Sequence, residues 1–539
     1  MAKHSGSIMS TLENIISNFE KERFSYFTAF LWALLLGSIR TMVEANLLDY
    51  PYKELSYAWL FNQAHIIGFF LSVFIGGVLI IKLITNQKLL KIINLACIGF
   101  TLALIPPFLD LFFNIGSISY TYVNPLDFIT SFSKYFVTQG GTGGLGVLIE
   151  LFAIMIATSS YVYIITKSVK KFLLNFFIFF IFIMFMGTPL SFFLIGEYAG
   201  NLIQPIAVIR YTLLAILFLL LLFKVEKKGL LKSFVKSMRL TTTAHFVLMT
   251  IVGVFIAGNL GQVGNIQMDL SNFLDPTFWA IFTGNIGTFI LTLLSIIFCW
   301  QYAVMINHVY DVKIDILDNR DRILPKKMMS VTAVKSIALI FAGVCLGLSF
   351  IVSLNSFLLM VAGIFFGTIY SVPPIRLRDG VFSTSIIGVG SSIAFFLGFV
   401  TPAYIKVMHG EMAGEVMRIY PEFTTDALII GLLIFVALTI GPLIKDYKDY
   451  EGDKKAGVKN LFTIYGLEKG VTITSALLPV PFLCLLLLFN NLIDIVIILP
   501  LGIVSGALFK IFRKTAFVFA IYFPIIIYCL LRWFEIIQL

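Results

Sequence analysis

Apolar runs of about 18 residues or longer recur along the whole chain, and each is long enough to cross a bilayer as a helix. About fifteen are visible, centred near residues 36, 71, 101, 156, 184, 214, 250, 290, 341, 364, 393, 435, 478, 500 and 524. No water is present in a bilayer core, so each segment must satisfy its own backbone N–H and C=O groups. Long, uniformly apolar runs do this as helices, whereas barrel strands would be short and alternating. The expected fold is an all-α integral membrane protein of about 15 transmembrane helices. With 59% apolar residues and 13% charged ones, the 539-residue chain has little material for a soluble domain.

A formal net charge of +10 invites a nucleic-acid partner, but the placement of the charge argues for topology. If successive spans alternate in direction, 32 of the 39 Lys and Arg residues fall on one side of the membrane. That is the positive-inside pattern, and it predicts a multi-pass cell-membrane protein with a cytoplasmic N-terminus and contacts to anionic lipid. No nucleic acid and no protein partner is expected. The first 25 residues mix charged and polar types, so no cleavable signal peptide is expected. Cys97, Cys299, Cys345, Cys484 and Cys529 lie in apolar runs without a CxxC pair, and read as packing residues.

The basic stretch from Lys224 to Arg239 follows six runs and precedes nine. It divides the chain into a six-span block, residues 1–232, and a nine-span block, residues 233–539. No internal repeat relates the two.

Two acidic segments follow the second and sixth spans of the second block, which places both at the cytoplasmic face. Asn307, Asp311 and Asp315 are spaced i, i+4 and i+8; Asp446, Asp449 and Asp453 are spaced i, i+3 and i+7. If each preceding helix continues through its segment, each set forms a stripe on one helical face. Carboxylates beside lipid are costly and mark functional sites. Hard oxygen donors on two facing stripes suit Mg²⁺, which keeps waters or takes phosphate oxygens to complete its shell. Arg320, Arg322, Arg376, Arg378, Lys445 and Lys459 are the nearby cations that could neutralise a diphosphate. One such run is most simply a solvated loop with local pairs such as Lys313–Asp315. Two striped runs on one side of the membrane favour a metal–diphosphate site.

With Arg322-Ile-Leu-Pro325 behind it, the first segment resembles the first aspartate-rich motif of the UbiA superfamily of intramembrane prenyltransferases. Tyr370-Ser-Val-Pro-Pro374-Ile-Arg376-Leu-Arg378 resembles that family's cytoplasmic segment between spans four and five, and Lys445 to Gly457 its second aspartate-rich motif. Arg239 sits where the family often carries a basic residue. The resemblance covers about residues 235–539. It implies a nine-helix bundle around a central cavity open to lipid, two Mg²⁺ ions, and transfer of a prenyl group from a polyprenyl diphosphate to a lipophilic aromatic or hydroxyl acceptor. It further implies metal positions at Asn307, Asp311, Asp315, Asp446, Asp449 and Asp453. Asp311, Asp315, Asp449 and Asp453 would be catalytic, and Arg322, Arg376, Arg378 and Lys445 would hold diphosphate. Two departures stand out: His308 replaces a further acid, and Asn460-Leu-Phe462 replaces Thr-Leu-Pro.

Two other readings compete. Within the family, the polyprenyl phosphate carrier could itself be the acceptor, as in phosphoribosyl transfer. Outside it, a transporter or lipid-handling protein would use the acids to bind cations, but would place them near mid-membrane rather than at helix ends. The first block carries only polar groups near the outer ends of its spans, among them Arg40, Glu44, Asp110 and Glu150, read as anchors with an Arg40–Glu44 pair. An outward-facing pocket for a lipid head group is the sharper account. Gly141-Thr-Gly143-Gly-Leu-Gly146 matches GxGxxG but follows no strand, so no dinucleotide site is expected. His245 reads as a packed histidine.

Overall fold

Short polar caps punctuate the apolar runs. In the computed structural model, Ser353, Thr424 and Asn491 accept from the backbone N–H groups of Ser356 (2.9 Å), Ala427 (3.2 Å) and Asp494 (2.8 Å). Each cap satisfies an N–H that the first helical turn leaves free. The structure describes residues 2–21, 23–47, 57–113, 145–187, 203–259, 286–317, 322–380, 383–401, 403–406, 416–419, 423–456 and 459–533. Thirteen of the described helices are long and apolar enough to cross a membrane, where about fifteen spans were expected. The remaining two expected spans are present as shorter apolar helices, Ser383–Phe399 and Ala520–Trp533. The protein is a helical, multi-pass membrane protein. One addition to the all-α expectation is a short antiparallel hairpin, Ala403–Lys406 with Val416–Ile419, in which Ala403 faces Ile419.

The chain forms two compact units. The first comprises residues 1–237 together with 319–340. Its core gathers Ile92, Cys97, Met155 and Val162, all fully buried. Polar side chains act as pegs where helix ends meet: Asn94 Oδ1 accepts from the backbone N–H groups of Arg23 (2.7 Å) and Phe24 (2.9 Å). Residues 319–340 join this unit because Ser237 Oγ accepts from the Ile323 N–H at 3.1 Å and Lys227 Nζ donates to the Lys327 carbonyl at 3.1 Å. Arg40, expected to pair with Glu44, lies 3.5 Å from Glu150. Glu150 comes from another helix, so this contact is long-range. The Glu44 side chain lies outside the described residues.

The second unit comprises residues 238–318 and 341–539. Its central element is Ser383–Phe399, which packs against Leu240–Asn259, Leu354–Ser371 and Thr425–Ile440. Glycine allows the first of these contacts. A Cβ at Gly253 would strike the Phe395 carbonyl, and one at Gly398 the Thr250 carbonyl. In lipid, where apolar side chains gain little by leaving solvent, such backbone proximity is a main source of helix association. At the C-terminal end, the buried Asp494 carboxylate takes both Arg532 Nε (3.0 Å) and Nη2 (3.1 Å), and accepts from Tyr528, tying Leu492–Phe512 to Thr515–Trp533.

Candidate functional site

The first acidic segment keeps its helical hydrogen bonds while bending. Ile286–Tyr310 ends one residue before Asp311, and a short helix, Val312–Leu317, follows. Across the bend Asp311 N–H still donates to Asn307 O and Asp315 N–H to Asp311 O, both at 2.9 Å. Asn307, Asp311 and Asp315 are all buried. The second segment does not continue its preceding helix. Thr425–Ile440 stops at Gly441–Pro442, where proline supplies no N–H, and Leu443–Ala456 starts afresh. Asp446 lies in the first turn of that new helix, where a negative charge is favoured. The side chains of Asp449 and Asp453 lie outside the described residues.

Charge pairing organises the first segment. Asp311, 2% exposed, accepts from Arg376 Nη2 at 3.1 Å and is also paired with Arg378. Arg376 is aimed by a second carboxylate, Asp379 Oδ2, at 3.0 Å from its Nε. Its backbone is left-handed (φ 36°), a conformation that costs a non-glycine residue energy and is found disproportionately at functional sites. Asn307 Oδ1 accepts from Arg239 Nη2 at 3.3 Å, while its Nδ2 donates to Ser371 Oγ at 3.4 Å. Arg239 is left-handed as well (φ 48°). Asp315 Oδ2 lies 3.6 Å from His308 Nδ1, both side chains 1% exposed.

One residue links the two acidic segments. Tyr370, at the end of Leu354–Ser371, lies within electrostatic range of Arg239, Asp446 and Asp379. The structure therefore brings Asn307, Asp311, Arg376 and Arg378 together, with Asp446 near the same cluster. Lys445 is exposed on the second segment, and Arg322 is partly buried in the first compact unit. Reading the sequence missed Ser371 and Asp379. Ser371 lies within the Tyr370–Arg378 segment and Asp379 directly follows it; the acid next to two arginines was the available signal for Asp379.

The donor chemistry suits a hard divalent cation, since the described side chains of the two segments offer oxygen ligands and no thiolate. Among the described residues, no three His, Cys, Asp or Glu side chains converge closely enough to cage a metal by themselves. An ion here would need further oxygens, which a diphosphate carries.

The Asn460 departure has a structural explanation. Its side chain accepts from Phe462 N–H (3.1 Å) and Thr463 N–H (2.9 Å), and Thr463 Oγ1 accepts in return from Asn460 N–H (2.8 Å). This capping box starts Leu461–Tyr465 and places Phe462, fully buried, against Tyr447 of the second segment.

Residues 273–517 match the sequence model of the UbiA prenyltransferase family. This segment, 245 of the 539 residues, is similar to that family. A digeranylgeranylglyceryl phosphate synthase of Saccharolobus solfataricus is 26% identical to this chain over 216 residues, 37% of this chain and 67% of that protein. A chloroplastic 2-acyl-4-prenylphloroglucinol 6-prenyltransferase of Humulus lupulus is 28% identical over 181 residues, 32% of this chain and 41% of that one. The chain thus spans between two fifths and two thirds of these relatives' lengths. A solved structure of a digeranylgeranylglyceryl phosphate synthase in membranes aligns at 19% identity with a TM-score of 0.41, covering 57% of this chain and 97% of the other. The matched segment contains both acidic segments and the Arg376–Arg378 turn; residues 1–272 lie outside the match.

Proposed function

We propose that residues 233–539 transfer a prenyl group from a polyprenyl diphosphate to a lipid-soluble aromatic or hydroxyl acceptor, with Mg²⁺, at the cytoplasmic side of the membrane. In the transfer the C1–O bond to diphosphate breaks with its electron pair leaving on oxygen. The acceptor carbon or oxygen supplies a new pair to C1, and the proton it loses passes to the released diphosphate. The match of residues 273–517 to a prenyltransferase family supports the reaction class. The observation that carries the site assignment is the meeting of Arg376 and Arg378 at the Asp311 carboxylate.

Asn307, Asp311, Asp315, Asp446, Asp449 and Asp453 are the proposed holders of two Mg²⁺ ions, with Arg322, Arg376, Arg378 and Lys445 as partners of the diphosphate oxygens. Bound Mg²⁺ supplies positive charge against the departing diphosphate. Planar guanidinium groups suit phosphate oxygens bidentately, and Arg376 is already oriented by Asp379. Arg239 keeps Asn307 in place by donating a hydrogen bond to its side-chain carbonyl oxygen. Residues 1–232 are proposed to form a separate six-span block.

The test uses the full chain in lipid nanodiscs with Mg²⁺, geranylgeranyl diphosphate and a host lipid extract, following diphosphate release and new adducts by mass spectrometry. Release that needs Mg²⁺ and disappears in Asp311→Asn and Asp449→Asn supports the transferase. An intact diphosphate that binds with every chain length points to the carrier as acceptor, and absence of binding to a transporter.

A further inference from the structure

We infer that the first compact unit binds one monovalent cation, a proton or an alkali-metal ion, on a buried cluster of Arg40, Asp110 and Glu150. The cluster lies outside residues 273–517 and does not depend on the transferase reading. Ile105–Phe112 packs against both Tyr26–Leu47 and Leu145–Thr166. It turns Pro106, Pro107 and Asp110 inward and leaves Phe108, Leu111 and Phe112 exposed, so apolar side chains wall the cluster from outside. Pro107 has no N–H, and the Ala103 carbonyl one turn earlier takes its hydrogen bond from Arg40 Nη1 instead. The same Nη1 stands 3.5 Å from Glu150 Oε2. Asp110 Oδ1 accepts from the Gly146 N–H at 2.6 Å. Gly146 is the last glycine of the GxGxxG match, and a Cβ there would strike the Pro106 carbonyl. Glu150 follows one turn later on the same helix, about 6 Å along its axis.

The charges do not balance. Arg40 is the only Lys, Arg or His in residues 26–47, 100–112 and 145–166. Against it stand two carboxylates, Asp110, which is 0% exposed, and Glu150, which is 12% exposed. Phe100–Leu104 adds no titratable group, and the Glu44 side chain lies outside the described residues. Tyr26, Tyr161 and Tyr163 lie about three turns or more away along their helices. His65 stands on Tyr57–Thr85, which packs against Tyr26–Leu47. A guanidinium stays protonated and balances one carboxylate only.

A second carboxylate left ionised here, in a membrane span and without a counter-charge, would be prohibitively costly. Hydrogen bonding identifies the atom that the missing charge would reach. Asp110 Oδ2 is buried with no partner among the described residues, whereas Oδ1 is satisfied by Gly146. A purely structural ion pair would match charge with charge and leave no oxygen open. One added positive charge at Oδ2 neutralises the cluster and gives that oxygen its partner. The intramembrane placement of such a site marks the first unit as more than a scaffold.

Infrared spectroscopy and thermal unfolding of the full chain in lipid nanodiscs test the inference without requiring turnover. A protonated carboxyl absorbs apart from a carboxylate, and isotope-labelled aspartate shifts its band. If the cation is a proton, the wild type in choline chloride at neutral pH shows such an aspartate band. Asp110→Asn and Glu150→Gln should each abolish it, since either leaves one carboxylate for Arg40. Asp110→Glu keeps the carboxyl and should move the band out of the labelled aspartate set. If the cation is an alkali-metal ion, replacing choline chloride by sodium or potassium chloride at equal ionic strength should raise the Tm of the wild type. That rise should be lost in Asp110→Asn and in Glu150→Gln. A wild type with neither the band nor a salt-specific rise overturns the inference, whether or not the variants fold. A band or rise that survives Asp110→Asn and Glu150→Gln overturns it too, because the cation would then sit elsewhere.

Discussion

Arg376, with its backbone left-handed and its Nε held by Asp379, donates to the buried carboxylate of Asp311, 65 residues away, at 3.1 Å. Arg378 joins the same carboxylate. Asp311 therefore has two competing sets of partners in the proposed chemistry, the guanidinium groups and a divalent cation. A diphosphate resolves the competition, because it can draw the guanidiniums onto its own oxygens.

Arg378→Met should uncouple the two. With one guanidinium gone, Asp311 is freer to bind Mg²⁺ in the absence of diphosphate, while diphosphate loses a charge-assisted contact. Calorimetric titration should show Mg²⁺ binding strengthened and diphosphate binding weakened, each by about tenfold. Both affinities falling together would contradict the exchange. Asp311→Asn, by contrast, should lower the rate of diphosphate release by about 10²- to 10³-fold, the usual loss when one preorganised electrostatic contact is removed.

His308→Asp should restore a carboxylate opposite Asp315, 3.6 Å from the present imidazole Nδ1 in a pair that is 1% exposed. Without divalent cation, the added charge should destabilise the protein by about 1–3 kcal/mol. Thermal unfolding with and without Mg²⁺ should then show a larger Mg²⁺-induced rise in Tm than the wild type gives. An identical rise would mean that His308 faces no metal position.

Arg40→Met should remove the counter-charge of Glu150 and of Asp110, which is fully buried and within electrostatic range of Arg40. Breaking a buried pair from one side costs about 3–5 kcal/mol, because the remaining charge stays desolvated. The double variant Arg40→Met with Glu150→Met should recover part of that loss. Stability measured in the same nanodiscs decides this. A single variant as stable as wild type would show the Arg40–Glu150 contact to be energetically idle.

Asn460→Ala should cost about 1 kcal/mol by deleting the cap of Leu461–Tyr465 and loosening Phe462 beneath Tyr447. Asn460→Thr keeps a side-chain acceptor at the cap and should remain within a few tenths of a kcal/mol of wild type. Equal loss from both would mean that the amide does more than cap.

The helical class was legible because hydrophobic length is a local property, and the acidic stripes because helical spacing is local. Asn307, Asp311 and Asp315 do share one nearly continuous helical path, as their i, i+4 spacing suggests. Span counting was less secure: Ser383–Phe399 is apolar but short, and only its packing against three neighbours identifies it as the centre of its bundle. The break before the second acidic segment was legible in Gly441–Pro442, and the preceding apolar run obscured it.

By itself, then, the sequence determined a multi-span helical membrane protein and the faces on which Asp311, Asp315 and Asp446 stand, since these depend on residue type and on spacings shorter than ten residues. Only the tertiary structure decided the partners: Arg376 and Arg378 for Asp311, Arg239 for Asn307, His308 for Asp315, and Glu150 for Arg40. The physical reason is that a buried charge takes whichever partner packing brings within reach, and most of these partners lie dozens of residues away along the chain.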